Sequence, residues 1–161
     1  MEIRNKARAI AHDLDVAKVS VLGIPDKPGA ASSIFEPLAK ANISVDTIVQ
    51  NSSVANLADL SFTVSTGDVS KAMTIVNPVI KSLGAKGTIS DDQLAKISVV
   101  GTGMQNSPGY AAKMFRTLSD QGINIQMITT SEIRITCIIS RDKVKDALKS
   151  LHKAFDLDKT S

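Results

Sequence analysis

Ala17-Lys18-Val19-Ser20-Val21 recurs almost letter for letter as Ala95-Lys96-Ile97-Ser98-Val99 in a chain of 161 residues. The agreement continues along the chain. Pro28-Gly29 followed by Phe35 returns as Pro108-Gly109 followed by Phe115, and Ile43-Ser44-Val45 returns as Ile123-Asn124-Ile125. Matched positions lie 78 apart at Val21 and Val99 and 80 apart at Pro28 and Pro108. So many ordered matches at one period define two copies of a single structural unit, each about half the chain.

The pattern inside each copy predicts its elements. Residues 18–24 and 96–101 are short runs rich in β-branched residues that end in a Pro-Gly loop, as a strand does when it hands over to a helix. Segments 29–41 and 109–121 carry Ile34, Phe35, Leu38 and Met114, Phe115, Leu118 at helical spacing. Pro28 and Pro108 are expected in the first helical turn, where a missing N–H costs nothing. Each helix is expected to stop at a turn residue, Asn42 or Gly122. Strands are expected at 43–51 and 58–66, and again at 123–130 and 132–140. Leu60, Phe62, Val64 and Ile133, Ile135, Cys137, Ile139 alternate there with more polar neighbours. Second helices follow, with stripes of Val69, Ala72, Met73, Val76, Ile80 behind Asp68 as cap and Val144, Ala147, Leu148, Leu151 behind Ser140. Pro78 is expected to kink the first of them.

The order is βαββαβ, an α+β sandwich with two helices on one face of a four-stranded antiparallel sheet. The second copy lacks a closing strand of its own, because little beyond Ala154 remains. After its second helix the first copy is expected to continue into a strand at 86–91, and residues 7–13 precede the first copy as 86–92 precede the second. The expected organisation is therefore a first module at 15–92 inserted in a second at 93–161, the latter closed by an N-terminal strand at 6–13.

Composition narrows the function. Hydrophobic residues make up 43% and charged residues 22%, enough for a packed core. The net charge of +3 comes from 19 basic and 16 acidic residues interspersed without a basic tract, which argues against nucleic acid. Strand order alone would also suit an RNA-recognition module, but that module stacks bases on aromatic side chains. Here aromatics are 3%, with no tryptophan and one tyrosine, Tyr110. A single cysteine, Cys137, cannot build a disulfide within the chain and reads as a buried structural thiol. No signal peptide is evident, and no apolar run approaches the ~18 residues of a membrane span. A cytoplasmic location is expected, which makes the glycosylation pattern at Asn51-Ser52-Ser53 a formal match only.

Enzyme motifs are poor. Gly101-Thr102-Gly103 opens like a dinucleotide fingerprint but has Asn106 where the third glycine belongs, and no phosphate loop is present. His12 and His152 stand with no recognisable nucleophile, and no cluster of His, Cys and carboxylates has metal-ligand spacing. What remains is the loop Ile24-Pro25-Asp26-Lys27-Pro28-Gly29-Ala30-Ala31. It puts a carboxylate before a helix whose first N–H groups lack acceptors, with small residues that let a ligand reach the backbone. An amino acid zwitterion suits that pairing, its carboxylate on the N–H groups and its ammonium toward Asp26. The same loop also reads as an ordinary turn with Asp26 as a cap, and the residues alone do not choose between the two.

Three strings together resemble the regulatory region of aspartokinases. They are Val-Leu-Gly-Ile-Pro-Asp-Lys-Pro-Gly-Ala-Ala (21–31), Ile-Val-Gln-Asn (48–51) and Ile-Thr-Thr-Ser-Glu-Ile-Arg-Ile (128–135). The resemblance runs over essentially the whole chain. It implies two ferredoxin-like ACT modules, which follow a kinase domain or form a separate small subunit. The kinase's N-terminal motif is absent, so no catalytic residue is expected here, and ATP and magnesium would belong to a kinase domain outside this sequence.

Carried over residue by residue, the resemblance implies an effector pocket of backbone at Ile24, Gly29, Ala30 and Ala31, the Asp26 carboxylate and the Gln50 amide. A partner chain would complete it with Asn124 and Ile125. Polar Gln50 and Asn124 could hold a hydroxyl, so threonine is the first choice of effector and lysine the alternative. The second loop, Gln105 to Gly109, has Asn106 at the place of Asp26 and Thr130 at that of Gln50, and is expected to bind more weakly or with different selectivity. Expected partners are a second copy, through the ACT modules, and a catalytic aspartokinase subunit, with no nucleic acid or membrane. A free-standing ACT sensor of another enzyme is the alternative, and a small ferredoxin-like phosphatase a distant third.

Overall fold

A computed structural model describes residues 5–52 and 55–158. Ser53 of the glycosylation pattern and the expected end of the second module at 159–161 lie outside the described residues. The elements are β1 (Ala7–Pro25), α1 (Ala30–Lys40), β2 (Ile48–Ser52), β3 (Leu57–Val64), α2 (Val69–Leu83), β4 (Gly87–Gly101), α3 (Tyr110–Asp120), β5 (Met127–Thr130), β6 (Arg134–Ser140) and α4 (Val144–Ala154). They form two compact units. One is Asp15–Asp92; the other joins the chain up to Leu14 to the chain from Gln93 onward.

Each unit is an α+β sandwich of the ferredoxin-like kind, and the first is inserted in the second. In the Asp15–Asp92 unit the strand order is β2-β3-β1-β4, and in the other it is β1-β4-β6-β5. The registered pairs are antiparallel, with Val19 opposite Phe62 in one and Ile97 opposite Cys137 in the other. The core of the first unit gathers Val19, Val21, Ile34, Leu38, Leu60, Phe62, Ala72 and Val76 between sheet and helices. The Phe35 and Phe62 rings meet edge to face at 5.3 Å. The second unit packs Ile97, Val99, Met114, Leu118, Cys137, Ile139, Leu151 and Phe155 the same way. Ala7 of the N-terminal strand is 1% exposed and belongs to that same core.

Several local expectations are corrected. The strands expected at 6–13 and 18–24 are one 19-residue strand, β1, and those at 86–91 and 96–101 are one 15-residue strand, β4. Neither stretch contains a glycine or proline between its two halves, so nothing breaks the extended backbone. Strands β2 and β5 begin later than the alternation suggests. Ile43 and Ile123 still donate to Leu38 O and Leu118 O at the helix ends, and Thr47 N–H goes to the Thr63 hydroxyl rather than into a ladder.

Pro28 and Pro108 lie outside their helices. Gly29 and Gly109 occupy the cap position at φ 89° and 103°, and the helices begin one residue later, at Ala30 and Tyr110. Asp68 makes no side-chain cap. Asp15 serves the turn at 65–66 instead, accepting from Thr66 N–H at 2.8 Å and from the Ser65 and Thr66 hydroxyls. Helix α4 begins at Val144 after a 3-10 turn, three residues beyond the position that Ser140 would cap. Helix α2 runs through Pro78 to Leu83 as one element and stops at Gly84 in the left-handed conformation.

Candidate effector site

The Asp15–Asp92 unit holds a recess of about 120 Å³, the room of roughly four liquid waters. Its wall is built by the end of β1, the loop into α1, the first turn of α1 and the adjoining faces of β2 and β3. Ile24, Asp26, Gly29, Ala30, Ala31 and Gln50, all singled out from the sequence, line it together. Residues 24 and 31 are brought near Gln50 because β2 pairs with β3, which sets Gln50 opposite Leu60, and β3 pairs with β1, which sets Ala58 opposite Ile24.

The helix start contributes charge without a side chain. Ser33 is the first residue of α1 whose N–H bonds back four residues, to Gly29 O at 3.0 Å. The N–H groups of Ala31 and Ser32 precede it and have no helical acceptor. The cap makes no side-chain hydrogen bond and the first turn carries no acidic residue, so the partial positive charge of the helix end is left for a ligand. Gly29 matters through its backbone alone: φ is 89°, and a Cβ there would meet nothing within 4 Å. Asp26 also lines the recess; it is exposed, and its N–H bonds to Asn56 O at 2.8 Å.

Pro25, Lys27, Ser32, Ala58 and Leu60 also line the recess and were not singled out from the sequence. Ala58 and Leu60 are 2% and 1% exposed and make its apolar floor. Their role depends on strand register, which residue types do not reveal. Asn124 and Ile125 are not part of this recess. They lie between α3 and β5 in the other unit, Asn124 exposed and Ile125 packed against the core.

The second copy is built differently at the same place. Its recess, about 330 Å³, is lined by Met104, Gln105, Ser107, Gly109, Thr130 and Ile135 among others, while Asn106 is not on the wall. Tyr110 stands where the first copy has Ala30. Its hydroxyl accepts the Lys6 N–H at 2.8 Å and its ring stacks on Phe155 at 6.1 Å. The Lys6 ammonium donates to the Ser107 hydroxyl at 2.5 Å and to Gly103 O at 3.4 Å. A cation and an aromatic ring thus attend the second loop, in contrast to the carboxylate and small residues of the first.

Other chemistry finds little support. Burial pushes the Cys137 thiol up to about 12, which suppresses the thiolate. His12 is exposed on β1, and His152 places Nδ1 2.7 Å from Leu148 O on α4. Among the described residues no group of three or more His, Cys, Asp or Glu could hold a metal ion, and no helix is long and apolar enough to cross a membrane.

Two βαββαβ units, the first with a recess beside a helix start that has no side-chain cap, define a tandem ferredoxin-like regulatory fold. Residues 19–78 and 97–155 both match the ACT domain. The chain is 42% identical over 149 residues to the aspartokinase of Pseudomonas aeruginosa, covering 92% of this chain and 36% of that protein. A crystal structure of aspartokinase alpha and beta subunits superposes with TM-score 0.88 at 45% identity, covering 93% of this chain and 99% of that one. The ligand-free regulatory subunit of aspartate kinase from Thermus thermophilus gives TM-score 0.88 at 37% identity, with the same coverage. The chain belongs to the ACT domain family, as a regulatory region of the aspartokinase type. It spans little more than a third of the length of the curated aspartokinases it matches.

Proposed function

We propose that this chain senses an end-product amino acid, threonine in the first place and lysine as the alternative, and passes its occupancy to the kinase part of an aspartokinase as feedback inhibition. One observation carries the reading: Asp26, the first-turn residues Ala31 and Ser32, and Gln50 line one recess of about 120 Å³. An amino acid's carboxylate matches the helix start, its ammonium matches Asp26, and a hydroxyl on a short side chain suits the Gln50 amide chemically. The apolar floor of Ala58 and Leu60 suits a short side chain better than a charged one.

In this reading residues 15–92 and 93–161 act as two modules, the latter closed by residues 6–13. Asn124 and Ile125 of a second copy complete the pocket, so the working form is a homodimer engaged with a catalytic subunit in the cytoplasm. A ligand that bridges two copies favours the arrangement that completes its site, and activity follows if that arrangement differs between active and inactive kinase. A coupling of ~1–3 kcal/mol changes activity ~5 to 150-fold. Titration calorimetry of the chain with threonine and with lysine is the test. Saturable threonine binding at millimolar or tighter affinity supports the proposal, and heat from neither amino acid, alone or with the catalytic subunit present, refutes it.

A further inference from the structure

The two copies differ at the strand end that delivers the site. In the first, Val21 faces Leu60 on β3, but Ile24 faces Ala58. Leu22 and Gly23 together therefore oppose Asp59, which is a β-bulge with one extra residue in β1. Gly23 has φ 63°, in the left-handed region that glycine adopts without a Cβ penalty. A bulge frees an N–H from the ladder, and here the Gly23 N–H bonds at 2.9 Å to the Asp59 carboxylate.

The bulge decides which way the following side chains point. Ala17, Val19 and Val21 face the helices and are fully buried; simple alternation would turn Gly23 inward next and put Ile24 and Asp26 on the opposite face. With the extra residue, Ile24 turns inward and is 3% exposed. The shifted register continues through Pro25 opposite Leu57 to the Asp26 N–H on Asn56 O, so Asp26 reaches the α1 side, where the recess lies. In the second copy there is no such shift. Val99 faces Ile135, Val100 faces Arg134, and Gly101 N–H continues in step to Ile133 O. Arg134, at the place of Asp59, carries no acceptor in its side chain.

We propose that Asp59 is a positioning residue of the effector site: by holding the Gly23 N–H it locks the bulge that turns Asp26 toward the recess. Asp59 is absent from the recess wall and acts through the backbone. The inference rests on the proposed amino-acid binding for its functional consequence, while the lock itself is a property of the ligand-free chain.

The test compares Asp59→Ala with Asp59→Asn, whose amide oxygen can still accept the Gly23 N–H. Two readouts are taken: threonine affinity by calorimetry, and amide exchange of Gly23 with the cross-strand contacts of Ile24 and Ala58 by NMR. Asp59→Ala is expected to lose about tenfold in threonine affinity, the scale of one charge-assisted hydrogen bond. It should also speed Gly23 exchange by at least about tenfold and weaken the Ile24–Ala58 contacts, and Asp59→Asn should recover most of each change. Unchanged Gly23 exchange in Asp59→Ala overturns the lock. Unchanged affinity, or an affinity loss that Asp59→Asn does not recover although the bulge is intact, overturns the positioning role and points to direct action of the charge. If the wild-type chain binds no amino acid, the functional reading fails, and the ligand-free NMR data still decide whether Asp59 holds the bulge.

Discussion

Replacing Asp26 by alanine should separate binding from stability. In the free protein the Asp26 side chain is exposed, and its structural contribution is the backbone N–H to Asn56 O, which alanine retains. A substitution at such a position changes stability within about 0.5 kcal/mol. Binding is another matter, because a carboxylate facing a ligand ammonium makes a charge-assisted hydrogen bond worth about 1.5–3 kcal/mol. At 1.4 kcal/mol per decade, that is roughly 10 to 150-fold in Kd. The thermal readout follows by mass action. Threonine at ~100 times the wild-type Kd stabilises the wild-type chain by about 2.7 kcal/mol. The same concentration stabilises a variant weakened tenfold by about 1.4 kcal/mol, and one weakened a hundredfold by about 0.4 kcal/mol. Melting curves with and without threonine should therefore show equal ligand-free midpoints and a shift cut at least by about half. Asp26→Asn, which keeps an acceptor without the charge, should fall between the two. An unchanged shift in Asp26→Ala, with calorimetric Kd equal to wild type, would refute the role given to the carboxylate.

Two further outcomes follow from the geometry. Gly29→Ala should destabilise the chain by roughly 1–2 kcal/mol, purely as backbone strain, since the added methyl meets no atom; a urea midpoint equal to wild type would mean that α1 does not start from a left-handed residue. Burial raises the Cys137 thiol to about 12 in the folded chain, from an ordinary thiol value near 9.0. The unfolded thiol ionises first as pH rises, so the contribution is intact below about pH 9 and drains away toward pH 12. Urea titrations should show a shallower loss of stability over that range for Cys137→Ala than for wild type, and parallel losses would place the thiol in contact with solvent.

Local periodicity made much of the fold legible. Ile34 and Leu38, or Met114 and Leu118, mark the buried stripes of α1 and α3 because helix spacing is a property of adjacent turns. The repeat exposed the modular plan, and the loop at 24–31 exposed half of the recess, because a helix start next to small residues carries its chemistry locally. Gln50 entered only through the family resemblance. Ala58 and Leu60 escaped notice because every alternating strand has such residues, and nothing in the residue types says which of them floors a pocket.

The cap at Thr66 shows the same boundary from another side. Asp68 holds the N-cap position of α2 and makes no side-chain cap, yet Asp15, 51 residues from Thr66, reaches the Thr66 N–H. Asp59 likewise meets Gly23 across 36 residues. By itself the sequence determined the two copies, the order of strands and helices, the buried faces and the loop that lines the recess, all of which depend on neighbours within a turn or a pleat. Only the tertiary structure decided the bulge at Gly23, the side of the sheet to which Asp26 turns and the floor beneath it. Those depend on which hydrogen-bond partners distant strands bring into register, and a slip of one residue in that register reverses every side chain that follows.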